Sequence, residues 1–377
     1  MKALAYRRVW AAFAAAMALT VALAAGCSSG TPSGGSSGGD TSSSAAPAAA
    51  PADTSAATSA AAEPAGAMVL DMNGDEVVAA GSVNNVLTVN SVATQMVLMC
   101  GGEDAAATVG QGFQYDEGSL NSKMFPNLGD RKTFTRDDAT VENVAAVGPG
   151  MVVIDVPDTV TALREADIPT AFVAVTSPET IIQAVEIIGS ALGGDAVAKA
   201  ADYADYYNGV IAEMSAKSTN VADADKPHVL YLRNETKTIG AGSMPDSWIT
   251  TLGGVNCGAE LDAKGGAGSD VTTEAILGAD PDIIICENPE LQATLLSDAQ
   301  YADMKAVQNG AVYVAPLGTA VWSMGTAEAP LMLYWASQYI NPELYAGIDV
   351  EQKTSEFFKQ FYGYELSADE LNAIFHR

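Results

Sequence analysis

One segment of this chain occurs twice. Thr140-Val141-Glu142 leads to Pro149 and then to Val152-Val153-Ile154-Asp155-Val156-Pro157. Thr272-Thr273-Glu274 leads to Pro281 and then to Ile284-Ile285-Cys286-Glu287-Asn288-Pro289. Every matched position is offset by 132 residues, from Thr140 to Thr272 and from Pro157 to Pro289. In each copy a Glu opens a short helix and a Pro stands seven residues on. An unbroken apolar run follows, the pattern of a strand buried on both faces of a parallel sheet. The repeat predicts two similar α/β lobes.

Strand and helix patterns alternate on both sides of it. A hairpin is predicted from Val69–Met72 and Val77–Ala79 around a tight Asn73-Gly74 turn, and a strand over Val83–Val89. A helix over Val92–Cys100 is stopped by Gly101-Gly102. Strands are expected at Met151–Ile154, Ala171–Val175, His228–Leu232, Ile283–Cys286 and Ala311–Val314, with a helix at Thr159–Ala166. The fold class is α/β with layers of Rossmann type. From Asp195 to Lys217 there is no Pro and one Gly, Gly209, while Val197, Ala200, Ala204, Tyr207, Ile211 and Met214 recur at helical spacing. Such a helix is about 35 Å long, enough to run between lobes or along one. The domains expected are 68–194 and 219–377, joined by a helix over 195–218.

The N-terminus has Lys2, Arg7 and Arg8 before an apolar run from Val9 to Ala25. At about 17 residues the run suits a signal-peptide core better than a membrane span. It ends in Leu23-Ala24-Ala25-Gly26-Cys27, which resembles a bacterial lipobox with Ala24 where Leu is usual. Residues 1–27 are then a lipoprotein signal with Cys27 as the lipidated residue; the alternative is plain secretion. No later segment is apolar for long enough to span a bilayer. Residues 28–67 are Ser, Gly, Thr, Pro and Ala apart from Asp40, Asp53, Glu63 and, at its end, nothing bulkier than Ala67. Without Leu, Ile, Val or Phe they bury too little to offset ordering, and are read as a disordered tether reaching about 35 Å. The tether lets a domain dock near a membrane, or acts as a spacer.

The net charge is −28. The three bases and three acids before residue 68 cancel, so the folded part carries all of it. That excludes nucleic acid and anionic lipid headgroups as partners. Cys100, Cys257 and Cys286 allow at most one bridge, Cys257–Cys286, against the alternative of buried thiols. No zinc spacing occurs, and no metal site or intrinsic cofactor is expected.

These features resemble the binding proteins of iron–siderophore, haem and vitamin B12 importers. The two Glu-to-Pro units carry the resemblance, with Gly253-Gly254-Val255-Asn256 and Ala306-Val307-Gln308-Asn309-Gly310-Ala311-Val312-Tyr313. In the tail, Trp335, Pro342-Glu343, Phe357-Phe358-Lys359-Gln360-Phe361-Tyr362-Gly363-Tyr364 and Leu366-Ser367 add to it. It covers about Met68 to the C-terminus and is densest in the second half. Gly150 departs from the family pattern, which has Asp after the Pro; Asp282 keeps it. The resemblance implies a monomeric, non-enzymatic receptor, anchored outside the cytoplasmic membrane. It would serve an ABC permease dimer with its ATPase subunits, the permease meeting Glu142 and Glu274. It also implies a rigid helix between the lobes and modest closure. The cargo expected is an iron complex (siderophore or haem) or a corrinoid.

Ligands of open α/β sheets lie beyond the carboxyl ends of strands. Cleft candidates in the first lobe are Ser91, Phe113, Tyr115, Phe125 and Asp155, and in the second Arg233, Gly242, Ser243, Glu287 and Trp322. Asp155 and Glu287 could instead cap the next helix. The Gly240–Ser243 loop could hold an anion or be a plain turn, and Trp322 could stack on a ligand or pack in the core. Arg131, Lys132, Arg136 and Lys237 are further bases for an anionic ligand. Two other readings are a molybdate or tungstate receptor on this fold, and an exported lipid-anchored hydrolase. Against the hydrolase, no Gly-x-Ser-x-Gly elbow occurs and neither His228 nor His376 stands near a nucleophile.

Overall fold

The structure is a computed structural model that describes residues 67–266 and 268–377. The expected signal segment, the expected lipidation at Cys27 and the expected tether up to residue 66 lie outside the described residues. Among those described, no helix is long and apolar enough to cross a membrane.

The chain opens with strands β1 (Met68–Leu70) and β2 (Glu76–Ala79), paired antiparallel. The turn between them is wider than a two-residue Asn-Gly turn. Asp71 Oδ1 accepts from the amides of Asn73 and Asp75, at 2.8 and 3.1 Å, and Gly74 takes φ +83° inside that loop. Strand β3 (Val86–Thr88) is shorter than its apolar run, and helix α1 (Ser91–Gly101) follows at once, capped by Asn90 Oδ1 on the Ala93 amide. The first lobe continues with β4 (Val109–Gly110), α2 (Leu120–Met124), β5 (Thr133–Phe134), α3 (Val141–Val147), β6 (Met151–Ile154), α4 (Pro157–Glu165), β7 (Thr170–Phe172) and α5 (Pro178–Leu192). Its sheet has the parallel order β3-β6-β7, with β4 and β5 paired beside it.

Helix α6 (Asp195–Ser218) leads into the second lobe. There follow β8 (His228–Asn234), β9 (Lys237–Thr238), α7 (Met244–Thr251), β10 (Val255–Asn256), α8 (Cys257–Glu260), β11 (Ser269–Asp270), α9 (Thr273–Ala279), β12 (Ile283–Cys286), α10 (Pro289–Ser297), α11 (Lys305–Gln308) and β13 (Val312–Val314). The C-terminal helices are α12 (Ala329–Ala336), α13 (Val350–Phe357) and α14 (Ala368–Ile374). The second sheet runs β11-β9-β8-β12-β13, with β10 also on β8. Strands β8, β10, β12 and β13 are mutually parallel.

The sequence repeat is a structural repeat. Helices α3 and α9, strands β6 and β12, and helices α4 and α10 keep the 132-residue offset at both ends, as in Met151–Ile154 and Ile283–Cys286. All eight residues of β6 and β12 are buried, as unbroken apolar runs require. The Gly150 departure has a local remedy. Asp282 Oδ2 accepts from the His228 amide at 2.8 Å in the second lobe. In the first lobe Asn85 Oδ1 accepts from the Gly150 amide at 2.6 Å, and a Cβ on Gly150 would meet that oxygen at 2.9 Å.

Helix α6 is fastened to both lobes. Its buried face is Ala196, Ala200, Tyr203, Ala204, Tyr207, Val210 and Met214. Val197 and Ile211, expected on that face, are only half-buried, because the tyrosines at 203 and 207 set which side turns inward. On the first lobe, α5 lies so close that a Cβ on Gly189 would meet Ala200 Cβ at 2.6 Å. On the second, Tyr203 Oη donates to the Ala327 carbonyl at 2.9 Å and Tyr345 Oη to the Met214 carbonyl at 3.1 Å. Each fully buried large side chain contributes on the order of 1.5–3 kcal/mol, so bending α6 away from either lobe is costly. The C-terminal segment also returns to the first lobe, where Tyr362 packs edge-on against Phe125.

Candidate functional site

A cleft of about 440 Å³ opens between the lobes. The first lobe lines it with Asn90, Ser91, Val92, Ala93 and Met96 from the start of α1, with Gln111, Arg136 and Asp155, and with Val173 and Val175. The second contributes Arg233, Glu287 and the loop residues Ala320, Val321, Met324, Gly325 and Thr326.

Its polar centre is two arginine–carboxylate pairs. Arg136 donates from Nε and Nη2 to the two oxygens of Asp155, at 2.7 and 2.6 Å. Arg233 donates from Nε to Glu287 Oε2 at 2.6 Å and from Nη2 to Oε1 at 3.2 Å. Tyr231 Oη adds a 2.8 Å bond to Glu287 Oε2. Hydrogen bonding to the facing carboxylate raises each guanidinium further above its already high range. Both cations are therefore permanent. Each uses its Nε and Nη2 edge on the carboxylate, and its other Nη nitrogen has no hydrogen-bond partner among the described residues. The rest of the wall is mostly apolar.

Of the candidate residues, the cleft brings together Ser91, Asp155, Arg233 and Glu287. Asp155 and Glu287 are not helix caps: Val156 and Asn288 hold the cap positions, and Asn288 Oδ1 accepts from the Leu291 amide. The other candidates lie elsewhere. Phe113 stacks on Tyr115, whose hydroxyl donates to the Phe125 carbonyl at 2.6 Å, and all three serve the packing of the first lobe. Ser243 is the buried N-cap of α7, and the Gly242 amide is taken by Asp246 Oδ2 at 2.8 Å. The glycine loop thus holds an anion of its own, and its glycines have local reasons: a Cβ on Gly240 would meet the Ala263 carbonyl at 1.7 Å, and Gly242 takes φ +70°. Trp322 is fully buried and donates from Nε1 to Glu328 Oε2 at 2.7 Å.

Arg136 and Thr326 are the notable additions. Arg136 lay in a group of loop bases with nothing to single it out. Thr326 is buried, lines the cleft, and its hydroxyl has no partner among the described residues. Cys100, Cys257 and Cys286 are free and buried, so no 257–286 bridge forms; burial pushes each thiol up to about 12. Glu142 and Glu274 are exposed in the first turns of α3 and α9, which Thr140 and Thr272 cap.

Three comparisons bear on this architecture. The family model described as periplasmic binding protein matches residues 88–317. No curated protein matches the sequence. Among solved structures, a periplasmic solute binding protein from Veillonella parvula is 26% identical, with TM-score 0.71 over 82% of this chain and 97% of that one. The molybdate-bound periplasmic protein MolA of Haemophilus influenzae is 14% identical, with TM-score 0.69 over 80% and 99%. CeuE of Helicobacter pylori with Ni(II) bound is 20% identical, with TM-score 0.66 over 81% and 98%. In the cleft, both oxygens of Asp155 and of Glu287 are tied to a guanidinium. The chain belongs to the periplasmic binding protein family of the iron–siderophore and vitamin B12 type, and is a solute-binding protein of an ABC transporter, not an enzyme.

Proposed function

We propose that this protein captures an anionic iron chelate of siderophore size and passes it to its permease. The observation that carries the reading is the pair Arg136 and Arg233, one from each lobe, in a single cleft of mixed polar and apolar lining. Their charges are balanced by Asp155 and Glu287, so the empty cleft needs no counter-ion. A ligand with several spread anionic oxygens gains a donor from each lobe and favours the closed cleft. The cleft volume falls in the range of about 300–1,000 Å³ that holds ligands larger than one oxyanion. Haem is the weaker fit, because the lining offers thioethers, Met96 and Met324, and neither Tyr nor His among the described residues.

The rest of the reading follows from the same chain. Cys27 carries the lipid that fixes the protein to the outer face of the membrane, and residues 28–67 let it range there. The lobes 68–194 and 219–377 close modestly about α6. Glu142 and Glu274 present a matched pair of acids to a permease dimer, and the receptor acts as a monomer.

Thermal unfolding with ferric catecholate and hydroxamate chelates, haem, cobalamin, molybdate and tungstate tests the cargo. A chelate at a hundred times its Kd adds about 2.7 kcal/mol, a rise of a few degrees in a chain this size. A rise with molybdate or tungstate alone would replace the chelate by an oxyanion.

A further inference from the structure

The second lobe carries a group of side chains that the cleft does not use. His228 begins β8, at the opposite end of that strand from Arg233. The parallel register of β10 on β8 sets Val255 against His228, so the turn into α8 delivers Cys257 beside it. Glu260 stands three residues further on, one turn along the same face. His228 Nδ1 and Glu260 Oε2 are 3.1 Å apart, and one donor atom from each of His228, Cys257 and Glu260 lies within 4.8 Å of the others.

We propose that His228, Cys257 and Glu260 form a binding site for a thiophilic divalent cation such as zinc, separate from the cargo cleft. An imidazole, a thiolate and a carboxylate are the donors that zinc and its neighbours prefer. Bond lengths of about 2.0–2.3 Å in a tetrahedron put ligand atoms about 3.3–3.6 Å apart. The His–Glu spacing is already near that, and the sulfur needs to move inward by about 1 Å. One thiolate and one carboxylate neutralise a divalent charge, which suits a site whose sulfur ligand is fully buried. His228 and Glu260 are about half exposed, giving the ion a way in. Asp282 supports the site from behind, holding the His228 amide through Oδ2 while Lys305 neutralises its other oxygen. The cation displaces the thiol proton and ties the start of β8 to the turn that opens α8.

The sequence spacing gave no hint, since the ligands are 29 and 3 residues apart, from His228 to Cys257 and from Cys257 to Glu260. The test is Co2+ titration of the full chain carrying Cys27→Ser, so that no signal can come from that cysteine. The expected result is a near-ultraviolet thiolate-to-cobalt band that zinc abolishes. Cys257→Ser should eliminate the band, His228→Ala should weaken Co2+ binding at least tenfold, and Cys286→Ser should retain it. Because His228 is half exposed, its alanine variant keeps the test valid even where Cys257→Ser disturbs the core. Absence of the band, or a band indifferent to Cys257 and His228, overturns the site. Neither result depends on which cargo the cleft takes.

Discussion

Asp155 and Glu287 stand one residue past β6 and β12, at equivalent places in the two lobes, and each grips an arginine through both of its oxygens. The acids belong to the repeat and the arginines do not. Arg136 comes from the loop before α3, whereas Arg233 comes from within β8. The two lobes thus reach the same chemistry from different directions. An anionic ligand would complete a symmetric arrangement of acid, base, ligand, base and acid across the cleft.

Removing either base leaves a carboxylate facing the ligand without its counter-charge. Hydrogen bonds to charged groups contribute about 1.5–3 kcal/mol, so Arg136→Ala and Arg233→Ala should each weaken chelate binding about 10- to 100-fold. Fluorescence or calorimetric titration would measure it. The pairs are partly exposed, so ligand-free unfolding midpoints should change little. Unchanged affinity in both variants would remove the arginines from the site.

The loop that closes the second-lobe side of the cleft depends on a buried acid. Glu328 accepts from the Thr319 amide at 3.1 Å, from Thr319 Oγ1 at 2.5 Å and from Trp322 Nε1 at 2.7 Å. Thr319 Oγ1 also accepts from Gln95 of α1, so the acid's partner is shared with the first lobe. Burial outweighs these donors and raises Glu328 from the usual 4.5 to about 7. The folded state therefore holds this proton more tightly than the unfolded chain. Its stabilising effect is complete below pH 4.5 and is lost as pH rises through 7. The loss is about 3 kcal/mol. Denaturant unfolding of the wild type and Glu328→Gln between pH 5 and 8 should show the wild-type advantage shrinking with pH. A constant difference would mean that Glu328 does not titrate there.

Much of this was legible in the sequence, and the boundary is physical. Unbroken apolar runs fixed β6 and β12, and Thr and Pro residues fixed the helix starts, because those signals are local. The acids of the cleft were legible because they follow a strand in a repeat. The aromatic candidates failed for a different reason. Phe113, Tyr115, Phe125 and Trp322 sit in loops, where a ring can face a ligand or fill a core, and here each finds protein partners. The Ser243 loop failed likewise, since its anion is Asp246 from the same chain. Pairing Arg136 with Asp155 needs the fold, because no sequence pattern says which of several loop bases reaches the cleft.

The exchange of Asp for Gly at position 150 makes a stability prediction. Asn85 joins two strands' ends, accepting from the Gly150 amide and donating Nδ2 to the Gly148 carbonyl at 3.3 Å. Asn85→Ala should cost about 1–2 kcal/mol in denaturant unfolding. Gly150→Asp alone should also destabilise, because its Cβ would crowd Asn85 Oδ1. Combined with Asn85→Ala the Asp should cost less than the sum, since the crowding oxygen is gone. Strict additivity would mean that the two positions do not interact.

The docking proposal makes a prediction that separates capture from delivery. Glu142 and Glu274 are exposed and occupy the same place in matched helices. Neither appears among the residues lining the cleft. Replacing each by Lys places a cation at a helix start, a cost of about 0.3–1 kcal/mol that the fold can absorb. A permease that reads two acids through basic residues would then meet repulsion at both points. The double variant Glu142→Lys/Glu274→Lys should keep its affinity for the chelate and its unfolding midpoint within experimental error. Uptake through the reconstituted permease and ATPase should fall to background, with each single variant intermediate. Retained uptake in the double variant would remove these acids from the docking surface. Lost chelate affinity with an intact fold would mean that they act on the cleft instead.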